Sequence, residues 1–213
     1  MAKGRGRRSG NGAARGPAVD PDRIIDAALA LVVARGWRNV SLAAVAAEAG
    51  VPVLQVYRLF TSRTAILCGL SRRVDEAVLA EPVDVAAEEK PRDRLFDLLM
   101  RRFDALQPYR AALEVLRRDL RADPLASLAL GGALLSSVRL MLEAAGIACQ
   151  GIGGLIAVKL TAAAYLAAAH TWARDESPDL APTMASLDRR LRGIERWLNS
   201  SGGASRGSEL ADA

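Results

Sequence analysis

Aromatic residues are scarce in this chain: three each of Trp, Tyr and Phe, 4% of 213 residues, against a hydrophobic fraction of 51%. The apolar content is therefore mostly Ala, Leu and Val with few β-branched runs, a mixture that favours helices over sheets. Histidine occurs once, at His170, and cysteine twice, at Cys68 and Cys149. One imidazole and two distant thiols make neither a closed zinc site nor a disulfide framework. No apolar stretch follows the basic N-terminal residues, so no secretory signal is expected and a cytoplasmic location is the default. A phosphate-cradling loop is missing too, because Gly151-Ile152-Gly153-Gly154 follows no predicted strand. No catalytic residue, metal or cofactor is expected, and the chain reads as a non-enzyme. A transmembrane segment is not expected either: residues 151–172 are very apolar, but Lys159 interrupts them where about 20 clean residues are needed. That stretch reads as a buried helix.

Charge is present but localised. The net charge is +5, and residues 1–19 hold Lys3, Arg5, Arg7, Arg8 and Arg15 with no acid, leaving the rest of the chain balanced. A Gly- and Arg-rich arm has too little apolar surface to order itself, and reads either as a segment that awaits an anionic partner or as a solubilising start.

Helix punctuation is dense in the first third. Asp20 suits an N-cap, Pro21 the first helical position and Gly36 a left-handed stop, while Ile24, Ala28, Leu31 and Val32 form one stripe; this predicts a helix over 21–35. Ser41 can cap a second short helix that Gly50 ends, and a third follows from Pro52 to Phe60. Thr61 and Ser62 then precede a longer helix through Ile66, Leu67 and Leu70. Two short helices joined by a tight Gly-containing turn and packed on a third form a helix-turn-helix. Pro82, Pro91 and the charges between them mark the passage to a larger body, which reads as helices near 91–106, 109–121, 124–145, 151–174 and 178–199, followed by a Gly- and Ser-rich flexible tail over 200–213.

The segment RIIDAALALVVARGWRNVSLAAVAAEAGVPVLQVYRLFTSRTAIL, residues 23–67, resembles the N-terminal domain of TetR-type transcriptional regulators. Ala27-Ala28 with Leu31, Gly36-Trp37, Ser41, Ala46-x-x-Ala49-Gly50-Val51, Tyr57, Phe60, Ser62 and Ala65 carry the likeness. It implies an all-α chain: a helix-turn-helix DNA-binding domain at 20–67 after the basic arm, and a helical ligand-binding and dimerisation body at 68–199. It implies as partners double-stranded DNA, a small apolar or lipid-like ligand, and a second copy paired through the last two long helices, where Ala162, Ala163, Ala164, Ala167, Ala168 and Ala169 would permit close approach. A ligand-responsive repressor on a palindromic operator is the function implied.

On the third helix, Gln55 suits a bidentate pair with adenine and Arg58 a guanine edge or phosphate. Ser41, Tyr57 and Arg63 stand where the family contacts phosphates, which position without reading sequence. Where relatives carry a polar start this chain has Pro52, Val53 and Leu54, the last two suited to thymine methyls. That apolar start fits a second reading. The stretches DRLFDLLMRRFDALQPYRAAL at 93–113 and DESPDLAPTMASLDRRLRGIERW at 175–197 resemble the ubiquinone-biosynthesis branch of the same fold, whose members bind lipid as accessory proteins. For the body, Phe96, Met100, Phe103, Leu140 and Met141 are expected around a long apolar ligand or as ordinary core. Tyr165 and His170 are expected at a cavity, His170 otherwise as a hydrogen-bonded core or interface residue. Gly131-Gly132 reads as a kink, a cavity wall or close packing, and the pairs Arg101-Arg102, Arg117-Arg118 and Arg189-Arg190 as solvated faces.

Overall fold

The computed structural model describes residues 19–81 and 89–209, with side chains through Arg196. The basic arm, Val19 excepted, and most of the 81–91 passage lie outside the described residues. Every regular element among those described is helical. The first is α1 (Pro21–Arg35), started by Asp20, whose carboxylate accepts from the Asp22 amide at 2.9 Å, and stopped by Gly36 at φ +77°. A 3-10 turn at Trp37–Asn39 leads to α2 (Leu42–Ala49), α3 (Val53–Leu59) and α4 (Arg63–Leu79). The body comprises α5 (Pro91–Leu106), α6 (Arg110–Asp119), α7 (Pro124–Ala144), α8 (Gly151–Trp172) and α9 (Ala181–Glu209), with 3-10 turns at Gln107–Tyr109 and Leu120–Ala122 on either side of α6. α9 continues to Glu209, beyond the end near Asn199 and into the segment expected as a flexible tail.

Two apolar cores result. The front core gathers Ile24, Leu31, Trp37, Val45, Val56 and Phe60 and extends into the body through Ala112 and Leu116 of α6 and Ala126 of α7. The body core gathers Leu98, Leu99 and Phe103 of α5 with Met141 of α7, Tyr165 of α8 and Leu187 of α9. α4 belongs to both: Ile66, Leu67, Leu70 and Val74 face the front core, and Val78 the rear. By length and composition α7 and α8 are each long and apolar enough to cross a membrane. α8 packs instead against α9, α7 and α5, burying Val158, Ala162, Tyr165, Ala168 and Trp172.

The expectation that Arg101-Arg102 is a solvated face fails at Arg102, which is 4% exposed and ion-paired to the buried Asp75 of α4. Leu95, Leu98, Leu99 and Phe103 set the inward stripe of α5, and Arg102 falls inside it at helical spacing. Ser137 of α7 donates to Asp75 at 2.5 Å and Arg102 donates to Ser71 of α4 at 3.0 Å, so one polar cluster ties three helices. Gly131 and Gly132 form neither a cavity wall nor a close approach: both are exposed, with nothing within 4 Å of a Cβ at either.

The α8–α9 corner is fixed by Asp175, whose two oxygens accept from the amide and hydroxyl of Ser177 (3.1 and 2.5 Å) and of Thr183 (3.0 and 2.6 Å). Burial alone would raise this carboxyl, but these four bonds outweigh it and hold it at about 2.

Two outcomes are expected. Arg102→Met alone strands the Asp75 charge and lowers unfolding free energy by about 3–5 kcal/mol, whereas Asp75→Leu/Arg102→Met together recover most of it; the Ser71 and Ser137 hydroxyls, 3.2 Å apart, keep each other as partners. Chemical denaturation of both variants measures this. For Asp175 the folded pKa lies below the unfolded one, so its stabilisation is complete above about pH 4 and is lost as pH falls through about 2. The stability gap between wild type and Asp175→Asn, followed by denaturant titration, is therefore constant from pH 7 to about 5 and closes toward pH 2.

Candidate nucleic-acid interface and ligand cavity

α2 and α3 bend away from each other by 111°, within the range of helix-turn-helix motifs. The turn is built locally: Gly50 sits at φ +64° and the Val51 amide closes back on the Ala46 carbonyl at 3.0 Å. Ser41 Oγ accepts from the Ala44 amide at 3.2 Å, so this expected phosphate contact is the cap of α2, on the exposed end of that helix. Pro52 supplies no side-chain cap to α3; its carbonyl accepts from the Gln55 amide at 2.9 Å.

α3 turns Val56 inward, fully buried, and presents Val53, Leu54, Tyr57 and Arg58 to solvent with Gln55 half-buried. The expected readers thus share an outward surface, one that is more apolar than polar. Val53 is 50% exposed, Leu54 55% and Tyr57 55%, which is costly unless another surface covers them.

Arg63 does not join that surface. Its Nη1 donates to the Trp37 and Arg38 carbonyls (3.0 and 3.3 Å), its Nη2 pairs with Asp123 at 3.0 Å, and its guanidinium lies 4.6 Å over the Trp37 ring. The residue expected at a phosphate is instead engaged between the front module and the body. Asp123 also accepts from the Trp37 indole (3.2 Å) and caps α7 through the Ala126 amide (3.1 Å), while Asp119 accepts from the Trp37 backbone N–H at 2.8 Å. The Ala126 amide, the Trp37 indole and the Arg63 charge together hold the Asp123 carboxyl below its usual range. Sequence reasoning missed Asp119 and Asp123 as joint residues. Asp123-Pro124 carries a local cap signal, but nothing local announces its bond to a side chain 86 positions away.

Behind this joint lies a cavity of about 450 Å³, within the usual size of small-molecule sites. Leu70 of α4, Phe103 of α5, Leu116 of α6, Leu130 of α7, and Tyr165 and Trp172 of α8 represent its wall. Phe103 stacks on Tyr165 (centroids 4.7 Å apart) and on Trp172 (5.9 Å), so the three rings form one aromatic cluster in the wall. Of the residues expected around a ligand, Phe103, Tyr165 and His170 border the cavity. Phe96 and Met100 pack half-buried on the body core, Met141 is fully inside that core, and Leu140 is exposed on α7. His170 is a rim residue, exposed, with Nε2 2.5 Å from Arg174 Nη1. Arg102 and Trp172 are wall residues that periodicity did not single out. Burial pushes the Tyr165 phenol up, opposed by the Arg102 charge, so it is a neutral donor at physiological pH. Among the described residues no three His, Cys, Asp or Glu side chains gather to hold a metal.

Residues 24–68 match the family model for bacterial regulatory proteins of the tetR family. No curated protein matches the sequence. Among solved structures, a TetR transcriptional regulator from Nitrosomonas europaea shares the fold at TM-score 0.64 and 22% identity, over 82% of this chain and 97% of the other. A TetR transcriptional regulator from Rhodococcus sp. RHA1 gives 0.57 and 20%, over 81% and 93%. The fatty acid degradation regulator FadR from Bacillus halodurans gives 0.55 and 20%, over 83% and 95%. The chain thus carries the N-terminal domain of the tetR family of bacterial regulatory proteins, joined to a helical body that has the fold of TetR regulators.

Proposed function

We propose that this chain is a cytoplasmic transcriptional regulator, a repressor that binds a palindromic operator as a homodimer and responds to a small apolar ligand. The observation that carries the reading is a helix-turn-helix with its second helix turned outward, clamped by Trp37, Arg63, Asp119 and Asp123 to a body that contains a cavity. Double-stranded DNA is the partner of the α3 surface: Arg58 and Gln55 read base edges, Val53 and Leu54 meet thymine methyls, and Ser41 and Tyr57 rest on phosphates. The relatives described above lend the accessory-protein reading no support.

Pairing runs through α8 and α9. The outer side of α8 is an apolar stripe along its length, with Ile152 80%, Leu155 47% and Leu166 57% exposed. Ala163 and Ala167 lie on that side, whereas Ala162, Ala164 and Ala168 are buried within the protomer. A shallow apolar groove between Ile156, Leu160 and Ala163 of α8 and Gly193 and Ile194 of α9 continues the surface. Ligand in the cavity would favour one spacing of the paired recognition helices over another, by its differential affinity for the two conformations.

Selection of genomic fragments at near-physiological salt is expected to enrich one palindrome, and Gln55→Ala or Arg58→Ala to weaken it by about 1–3 kcal/mol each. Recovery of only bulk, salt-labile DNA would overturn the regulator reading in favour of the accessory one. Ala163→Arg places a charge in the stripe; sedimentation is expected to show a monomer with unchanged helical content and loss of tight operator binding. A dimer that persists would relocate the interface.

A further inference from the structure

The outward side of α7 has no partner among the described residues. Its inner side buries Ala126, Ser137, Val138, Met141 and Leu142, and the helix packs against α4, α8 and α5. On the opposite side Leu125, Leu128, Gly132, Leu135 and Arg139 follow one another at alternating three- and four-residue spacing, all exposed, Leu125 at 80% and Leu128 at 75%. That spacing is the seam of a coiled coil, the pattern one helix shows to another. Even the hydroxyl beside it is used locally, since Ser136 Oγ donates to the Gly132 carbonyl at 3.1 Å. An exposed apolar strip of this kind marks a place of contact.

Gly131-Gly132 forms the centre of the seam. Glycine inside a helix costs stability against Ala, and nothing in the protomer requires it here, because a Cβ at either position would meet open space. A second helix crossing at this point would use the missing side chains, which let two backbones approach. The pattern around the pair is symmetrical: Leu128 stands three residues before Gly131 and Leu135 three after Gly132. A two-fold axis between the glycines therefore sets Leu128 of one copy opposite Leu135 of the other. Charge follows the same symmetry. Glu143 lies eleven residues after Gly132 and Arg121 ten before Gly131, so antiparallel copies bring the two together at both ends of the crossing. Both are exposed, and neither has an ion-pair partner among the described residues. Parallel copies would instead set Arg139 against Arg139 and Glu143 against Glu143.

We infer that this face is an interface between copies of the chain: α7 pairs antiparallel with α7 of a second copy, crossing at Gly131-Gly132. Such a contact is isologous, and beside the proposed α8–α9 pairing it is a second two-fold that joins dimers. One helix pair buries a small area, so the association is weak and forms above the concentration at which α8 and α9 pair. Two dimers on neighbouring operators would meet at a far higher effective concentration and hold each other in place.

Sedimentation of the full chain from low to high micromolar concentration is expected to show a doubling of mass that Leu128→Glu abolishes, with helical content unchanged. The doubling is expected whether the unit is a monomer or the α8–α9 dimer, so the test stands apart from that reading. Gly131→Gln/Gly132→Gln separates pairing from folding: better helix formers in open space raise the melting temperature, yet the doubling is lost. Orientation is tested in a Cys68→Ser background. There Leu128→Cys/Leu135→Cys is expected to link two chains on mild oxidation and either single cysteine to link none, because bridged Cα atoms must lie within about 7 Å. A doubling that survives either surface variant, or a single cysteine that links copies, would overturn the inference. So would a constant mass across the range; if Leu128→Glu then removed binding to phosphatidylglycerol vesicles, the face is one that lies on lipid.

Discussion

The joint at Trp37 is the constraint on which the rest of the molecule depends. One residue, 1% exposed, is held from the body side by Asp123 at its indole N–H and Asp119 at its backbone N–H, and from its own side by the Arg63 guanidinium over the ring. Asp123 meets three demands at once: it caps α7, bonds the indole and neutralises Arg63. Charge-assisted bonds of this kind are stronger than neutral ones and impose direction. They fix the orientation of the front module on the body, which apolar contact through Ala112, Leu116 and Ala126 alone would leave free to slide.

The joint gains functional meaning from what stands behind it. Asp119 ends α6 and Asp123 starts α7, with the 3-10 turn Leu120–Ala122 between them. Leu116, before this turn, and Leu120, its first residue, line the cavity, and Leu130 lines it from α7. A molecule that spreads the cavity therefore pushes on the helix ends that carry both carboxylates. α4 is a second route, because Leu67, Leu70 and Ser71 line the same cavity while Asp75, one turn on, is locked to Arg102 and Ser137. Interiors packed this closely repack between discrete arrangements rather than deform smoothly, which is the behaviour a two-state regulator needs.

Much of this architecture is legible in the chain because helices carry local signals. Asp20-Pro21, Gly36, Ser41, Gly50 and Ser62 cap or stop helices within a residue or two of where the sequence predicts. The joint and the cavity are not legible, for one physical reason: both depend on which side chains meet across the fold. Arg63 looks like a phosphate ligand until Asp123 and the Trp37 carbonyl take up its donors. Arg102 sits in the inward stripe of α5, and its partner Asp75 sits in that of α4; two misplaced charges in matching registers were a signal that either helix read alone could not supply. Periodicity separates inside from outside, so it finds Phe96, Met100, Phe103 and Met141 on inward or half-buried positions. It does not say that only Phe103 among these meets empty space.

The composition of α3 bears on how such a module would discriminate. With Arg63 withdrawn to the joint, the outward helix offers Arg58, the half-buried Gln55 amide and the Tyr57 hydroxyl as its polar contacts, beside the apolar Val53 and Leu54. Methyl contacts favour thymine but are weaker and less directional than bidentate pairs. A single module of this kind would have a shallow preference, and its non-specific component would fall as salt rises. Two such modules at fixed separation, as in the proposed dimer, would square that preference, because a second half-site at the wrong spacing would contribute nothing. In the proposed dimer, sequence selectivity would be a property of the spacing set by α8, α9 and the Trp37 joint as much as of the bases that α3 touches, and a ligand that altered the spacing would act on selectivity itself.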